Sequence, residues 1–364
     1  LCGPGPADPP KPPGPARRRV EAGAALARSR GAFARLVLRQ RVAGIRFAIP
    51  DRAAVSARYP GLADGTATAE SFLALPERLP AVEASRALVG PRGREYWLRF
   101  ASPNPQVPGL AWAHVFEPTE VDPAALATLI DVHGVAVESD SARGWDDLAL
   151  LARHGVRVVR LSAPWHNRRR LPGRFGGEPF FAAQPAAGLD MFRSLTLELA
   201  VLVGWARARG GRRVAIAGTS MGALAAQLAA SHAVHWPPAL RPDALCLVTT
   251  SRGLAGLCFD SALARAVGLP RALHAAGWMR ADIARWGHLL EPLPAVAVAP
   301  RDIVMLLGRR DTVTPFPGGL ALARAWGVPP ENLFCRDQGH FSAAVGLLRD
   351  PAPYRLVLER LLRP

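Results

Sequence analysis

A serine flanked by glycines stands between a short apolar segment and an alanine-rich segment, and this arrangement constrains the fold more than any other feature. Residues 213–217 are predicted to form a strand, residues 218–222 read Gly-Thr-Ser-Met-Gly, and residues 221–232 are predicted to form a helix. In a sharp strand-to-helix turn, the residues two before and two after the serine have almost no room for side chains. Both positions are glycine here, so the sequence predicts a turn that exposes Ser220 at the end of a strand.

Strands and helices alternate on both sides of this turn. Further strands are predicted at 95–102, 111–117 (its hairpin partner), 127–132, 156–162, 244–249, 302–307 and 332–336. Further helices are predicted at 145–154 and 189–209, and a closing helix within 341–362. This alternation is typical of an α/β fold, in which helices cover both faces of a mostly parallel sheet.

The pattern divides the chain into three parts. Residues 1–16, rich in proline and glycine, are predicted to be a disordered tail, and residues 17–94 a helical N-terminal extension. Residues 95–364 are predicted to form the α/β domain. Within it, residues 251–300 separate two strands by about 50 residues, far more than a short connection needs. Their apolar and tryptophan content predicts a small helical insertion.

The chain is strongly basic, with a net charge of +16 that raises the question of an anionic partner. All the basic residues except Lys11 are arginine, a bias typical of GC-rich coding. Aromatic residues are not interleaved with the arginine runs, and no nucleic-acid motif is present, so no nucleic-acid partner is expected. The arginine-rich helix predicted at 17–47 could contact an anionic membrane surface peripherally, or simply present a solvated face.

The cellular compartment and the presence of a metal are predicted from apolar segments, signal sequences and the spacing of cysteines. No stretch reaches the roughly 18 apolar residues of a membrane-spanning helix, and no secretory signal is recognisable at the start. The four cysteines lack the spacing of a metal site or a disulfide framework. We therefore expect a cytoplasmic protein without a metal or an organic cofactor.

A serine hydroxyl is a poor nucleophile at neutral pH and needs a base, which is itself oriented by an acid. His340 is the predicted base, because it follows a predicted strand and Gly339 allows a sharp turn before it. The other histidines after Ser220 end the following helix or lie in the insertion; they are His232, His235, His274 and His288.

Asp311 is the predicted acid, because it follows the strand at 302–307 closely. A carboxylate just past the carboxyl end of a strand faces the crevice in which such folds bind ligands. Asp260 and Asp337 remain alternatives: the first lies in the insertion, and the second is only three residues from His340.

The oxyanion formed during acyl transfer needs two preorganised hydrogen-bond donors. The amide of Met221, at the start of the predicted helix, is one candidate. The amide of Val135 is the second, since His133-Gly134-Val135 follows the strand at 127–132 and Gly134 lets the backbone turn inward. His133 is predicted to orient this loop, with substrate contact as a weaker alternative.

These motifs, in this order along the chain, resemble the α/β-hydrolase superfamily over roughly residues 95–364. Within it, Ala163-Pro164-Trp165 and the serine turn are similar to the branch of abhydrolase domain-containing protein 18, from which His133-Gly134 departs. The resemblance implies a serine hydrolase with the triad Ser220, Asp311 and His340. It also implies that residues 251–300 form a lid over the active site.

The implied reaction is cleavage of a small-molecule carboxylic ester or thioester through an acyl-enzyme. Peptidase or amidase chemistry on the same triad is an alternative, and so is a non-catalytic basic protein that binds an anionic membrane surface or nucleic acid. The loop at 166–174 contains Arg168 and Arg169. Their guanidiniums could hold an anionic group of the substrate, or belong to a solvated arginine run.

Overall fold

The computed structural model describes residues 45–90, 93–136, 154–210 and 213–363. The predicted tail at 1–16, nearly all of the predicted helix at 17–47 and nearly all of the predicted helix at 145–154 lie outside the described residues. In the described part of the chain, no helix combines the length and the apolar composition needed to cross a bilayer.

One mixed sheet forms the centre of the molecule. Its strands are β1 (Glu83–Ala84), β2 (Leu88–Gly90), β3 (Gly93–Ala101), β4 (Leu110–Glu117), β5 (Ala127–Val132), β6 (Val156–Ser162), β7 (Val214–Thr219), β8 (Ala244–Val248), β9 (Ile303–Gly308) and β10 (Leu333–Arg336). They lie in the order β1-β3-β4-β6-β5-β7-β8-β9-β10, and β2 also pairs with β3. Pairing is antiparallel from β1 to β6 and parallel from β6 to β10, so the carboxyl ends of the parallel strands share one edge.

Helices cover both faces of this sheet. They are α1 (Arg52–Arg58), α2 (Pro60–Ala63), α3 (Ala69–Phe72), α4 (Glu178–Ala182), α5 (Ala186–Ala208), α6 (Met221–His232), α7 (Leu254–Asp260), α8 (Ala262–Val267), α9 (Leu269–Ala275), α10 (Arg280–Gly287), α11 (Phe316–Ala325), α12 (His340–Val345) and α13 (Ala352–Leu361). The closing region holds two helices, α12 and α13, because prolines at the start of α13 lack the N–H that a continuous helix needs.

Alternating side chains of the strands feed two hydrophobic cores. Ile130 and Ile216 pack with α5 and α6 on one face, whereas Leu129 and Ala215 pack with α13 on the other. A strand whose two faces are both buried reads as a continuous apolar run. This explains why the bounds predicted for β5 and β6 coincide with the observed ones.

The described part of the N-terminal extension is not wholly helical. It contains α1, α2 and α3, but residues 83–84 and 88–90 are strands that pair with β3. Its apolar side chains join those of the 251–300 segment in a third core, which includes Val55, Tyr59 and Trp278. The indole N–H of Trp278 also donates to the carbonyl of Pro50 at 2.7 Å. These two segments therefore support each other.

Candidate active site

Ser220 lies between β7 and α6 in a strained conformation. Its φ of 56° is positive, a conformation that residues other than glycine rarely adopt. The Ser220 amide donates to the Val248 carbonyl at 2.9 Å. A Cβ on Gly218 would lie 2.3 Å from the Gly222 carbonyl oxygen, and one on Gly222 would lie 2.0 Å from that of Val132. The close approach of three backbone segments thus explains the two glycines of the motif.

His340 begins α12, just beyond the carboxyl end of β10, and is buried. Its Nε2 atom lies 2.8 Å from the Ser220 Oγ atom. The turn before His340 packs against Gly308 at the end of β9. A Cβ on Gly308 would lie 2.5 Å from the Gln338 carbonyl oxygen, so this close approach requires glycine there. Gly339 has a φ of −85°, which any residue adopts, so its backbone conformation does not itself require glycine.

Asp311 lies three residues after β9, and its Oδ2 atom is 2.8 Å from the His340 Nδ1 atom. Its Oδ1 atom accepts from the amides of Val313 and Thr314 at 2.8 and 2.9 Å. Burial by itself raises the pKa of this carboxyl, but the His340 ring and the two amides outweigh it and leave the pKa below its usual value. Asp311 is therefore held as a carboxylate.

The two alternative acids have other partners. Asp260 forms an exposed pair with Arg280, with two contacts of 2.6 Å. Asp337 forms an exposed pair with Arg310 at 3.0 Å. The structure brings together Ser220, His340 and Asp311, and it leaves Asp260 and Asp337 in surface ion pairs.

Thr314 is a member of the cluster that the sequence reasoning missed. Its hydroxyl lies 2.9 Å from the Asp311 Oδ2 atom, 2.9 Å from the Thr249 carbonyl oxygen and 3.1 Å from the His340 Nδ1 atom. An aspartate followed three residues later by a hydroxyl residue is a local turn signal that could have identified it. Thr314 ties the acid to the end of β8.

The two predicted oxyanion donors lie beside Ser220. Met221 is the first residue of α6, and the first amides of a helix have no acceptor within it. Val135 follows Gly134, whose Cβ position would be 3.5 Å from the Ser220 Cβ atom. Both residues line the same cavity as Ser220, and the positive end of the α6 dipole lies at Met221.

His133 orients the loop that carries Val135. The Ala163 amide donates to its Nε2 atom at 3.1 Å, so the proton is on Nδ1, which donates to the Gly134 carbonyl at 2.7 Å. The His133 ring packs edge-on against His166, whose pKa burial lowers to about 4. Both hydrogen bonds of the His133 ring are made to backbone groups of the protein, and its role in orienting the loop stays a prediction.

Arg168 and Arg169 are not placed as substrate ligands. The Arg169 guanidinium is buried against the Glu198 carboxylate, with contacts of 2.8 and 3.0 Å. The Arg168 guanidinium lies over the rings of Trp97 and Trp112, 4.0 and 5.2 Å from their centroids. Among the described residues that line the cavity, neither arginine is present. Partners distant in sequence therefore contact both cations, and substrate contact by either residue stays a prediction.

A largely apolar cavity opens beside Ser220. Its walls come from α4, α5 and α6 on one side and from the helices of the 251–300 segment on the other. No described residue that lines it is charged. A largely apolar cavity next to a nucleophile is typical of a small-molecule site.

No family model matches the chain, and no curated protein matches it. Among solved structures, it is similar to an acetyl xylan esterase from Paenibacillus sp. R4, with a TM-score of 0.50 and 15% identity over 83% of this chain and 95% of that one. It also matches a cold-adapted esterase from an Arctic intertidal metagenomic library, with a TM-score of 0.48 and 13% identity over 76% and 97% of the two chains. A third match is an S-formylglutathione hydrolase from Agrobacterium tumefaciens, with a TM-score of 0.47 and 15% identity over 77% and 99%.

The sheet order and the first of these similarities together show that the chain has the α/β-hydrolase fold. The predicted fold class is confirmed. At these identities the similarity shows the fold alone.

Proposed function

We propose that this protein is a serine hydrolase that cleaves a carboxylic ester through an acyl-enzyme. The observation that carries the proposal is the uninterrupted series of contacts from Ser220 to His340 to Asp311, each 2.8 Å long. A nucleophile, a base and an orienting acid within hydrogen-bond reach of one another form the arrangement that acyl transfer needs.

In the first step, the Ser220 oxygen attacks the ester carbonyl carbon and its proton passes to the His340 Nε2 atom. This requires an unprotonated Nε2, and Asp311 favours that tautomer by accepting from Nδ1. The lowered pKa of Asp311 keeps the carboxylate charged, so it also stabilises the imidazolium that forms.

The tetrahedral oxyanion forms next to the amides of Met221 and Val135, which stabilise it as hydrogen-bond donors. When it collapses, the ester C–O bond breaks and the leaving alcohol takes the proton from His340. Water then attacks the acyl-enzyme with His340 again as base, which releases the acid and restores the Ser220 hydroxyl.

The helices of the 251–300 segment serve as a lid in this proposal. Leu254, Leu263 and Trp286 all line the cavity that contains Ser220. A cover of this kind excludes water from the reacting carbonyl and strengthens the electrostatic contacts inside. The same triad can attack thioesters and amides, so we include both in the test.

A fluorophosphonate probe, which reacts with activated serines, tests the proposal on the full chain. We expect labelling of the wild type and none of Ser220→Ala. Ser85→Ala, which removes a serine at the sheet edge, should be labelled like the wild type. Equal labelling of Ser220→Ala would overturn the proposal.

Turnover is then measured on three derivatives of butanoic acid: the p-nitrophenyl ester, the p-nitrophenyl thioester and the p-nitroanilide. We expect the ester to be cleaved fastest. A preference for the anilide would assign the chain to the amidases and overturn the ester assignment.

A further inference from the structure

The cavity beside Ser220 is apolar well beyond the reacting centre. Close to Ser220 it is lined by Val135, Met221 and Leu224, and further aromatic and aliphatic side chains come from α4, α5 and α10. Among them are Phe180 and Phe192. The described walls carry no charge that could compensate a charged ligand.

The few polar side chains in these walls already have partners in the fold. Gln184 donates to the Phe180 carbonyl at 2.6 Å and faces the Cys258 thiol at 3.9 Å. The Ser261 hydroxyl accepts from the Leu263 amide at 3.2 Å, and Thr314 is bound to Asp311. Apart from Ser220 and the backbone amides beside it, the described walls therefore offer a ligand mainly apolar contact.

Trp286 limits this cavity on one side. It lies on α10, and its ring packs edge-on against Trp278, with centroids 5.1 Å apart. A second hollow lies behind it, with a polar lining that includes Asp64, Asp282 and Arg285. In the described part of the chain, Trp286 is the only residue that lines both spaces, so it separates the apolar cavity from the polar hollow.

From these observations we infer that the cavity binds an uncharged acyl chain and that Trp286 sets the longest chain it accepts. The inference rests on the proposed function, since the chain is the acyl part of the ester attacked by Ser220. A chain that reaches Trp286 has filled the apolar space, and a longer one would have to displace the indole or fold back.

The test uses the full-length protein and p-nitrophenyl esters of even-numbered acids from acetate to palmitate. For the wild type, kcat/KM should rise about fourfold with each buried methylene and then fall beyond an optimum. Trp286→Ala should move the optimum to a longer ester, because it joins the two spaces. Ala264→Leu, which fills part of the cavity, should move it to a shorter one.

Matched variants separate the role of the indole from a general effect. Arg285→Ala changes the polar hollow alone and should leave the optimum in place. Trp286→Phe keeps an aromatic ring and should give an optimum between those of the wild type and Trp286→Ala, even if the alanine variant folds poorly. An optimum that is the same in the wild type, Trp286→Phe and Trp286→Ala would overturn the assignment of Trp286.

A charged acyl chain provides a separate test. The mono-p-nitrophenyl ester of octanedioic acid carries a terminal carboxylate and should be hydrolysed at least about 100-fold less efficiently than p-nitrophenyl octanoate. Comparable rates would overturn the uncharged-chain assignment.

Binding without catalysis distinguishes failure of this inference from failure of the proposed function. Decan-2-one, an uncharged analogue with no bond to hydrolyse, should raise the Tm of Ser220→Ala more than butan-2-one does. Ketone binding without ester hydrolysis would overturn the proposed function and support the cavity assignment. Hydrolysis that is fastest with acetate, without stabilisation by decan-2-one, would overturn the cavity assignment alone.

Discussion

The His340 Nε2 atom lies 2.8 Å from the Ser220 Oγ atom, although 120 residues separate them along the chain. Parallel strands bring them together, since β7 and β10 both end at the same edge of the sheet. Ligand sites in open α/β sheets form at such carboxyl ends.

Asp311→Asn should lower kcat for ester hydrolysis by about four orders of magnitude. The amide would donate to the Nδ1 atom of His340 and so favour the tautomer whose Nε2 carries a proton, which cannot accept one from Ser220. Steady-state kinetics measure the loss. Asp260→Asn and Asp337→Asn, in exposed ion pairs, should keep kcat near that of the wild type; a loss as large in either would transfer the role of acid to that residue.

Folding stability should report the charge of Asp311. Its folded pKa lies below the unfolded value of about 3.9, so its contribution is present above that value and is lost as pH falls through the folded pKa. The difference in unfolding free energy between the wild type and Asp311→Asn should therefore narrow as the pH drops below about 4. Urea titrations across the acidic pH range measure this difference in unfolding free energy. A difference that stays constant with pH would contradict the prediction.

Thr314→Val should lower kcat about 10- to 100-fold, since a hydrogen bond to a charged group is lost. KM should change little, because the hydroxyl acts on the acid rather than on substrate. Thr314→Ser keeps the donor and should retain most of the wild-type turnover. If the valine variant raises KM and leaves kcat intact, Thr314 contributes to the cavity wall and not to the positioning of Asp311.

Gly222→Ala should destabilise the fold by about 3 kcal/mol or more, because its Cβ would lie 2.0 Å from the Val132 carbonyl oxygen and the backbone would have to move. Gly256→Ala is the matched control. Its Cβ would meet its nearest neighbour, the Asp260 carboxylate, at 3.5 Å within α7, so stability should stay the same or rise slightly. Thermal unfolding of the two variants gives the comparison, and equal Tm values would contradict the steric argument.

Arg169→Met should destabilise the protein by about 3–5 kcal/mol, because the buried carboxylate of Glu198 would lose its counter-charge. The double variant Arg169→Met with Glu198→Met should recover much of this loss. Urea unfolding measures both. In the folded double variant, the KM for neutral esters and the KM for anionic esters should both stay close to the wild-type values. A rise in KM for anionic esters alone would show that Arg169 contacts the substrate.

The sequence determined the features whose signal is local. The glycine-flanked serine is encoded within five residues, because only glycine tolerates the contacts on both sides of Ser220. Buried parallel strands such as β5 and β6 read as apolar runs, and the order of serine, aspartate and histidine followed from their places after three predicted strands. Asp311 and His340 could be predicted because each stands just past a strand.

Tertiary structure alone decided the features that depend on distant partners. Arg169 looks like a free cation in the sequence, and only the packing of α5 brings Glu198 against it. Thr314 meets the Thr249 carbonyl, 65 residues away, only in the folded chain. The apolar cavity and its limit at Trp286 arise where helices far apart in the chain meet. Contacts between separate elements, which no local pattern encodes, therefore determine what can bind beside Ser220.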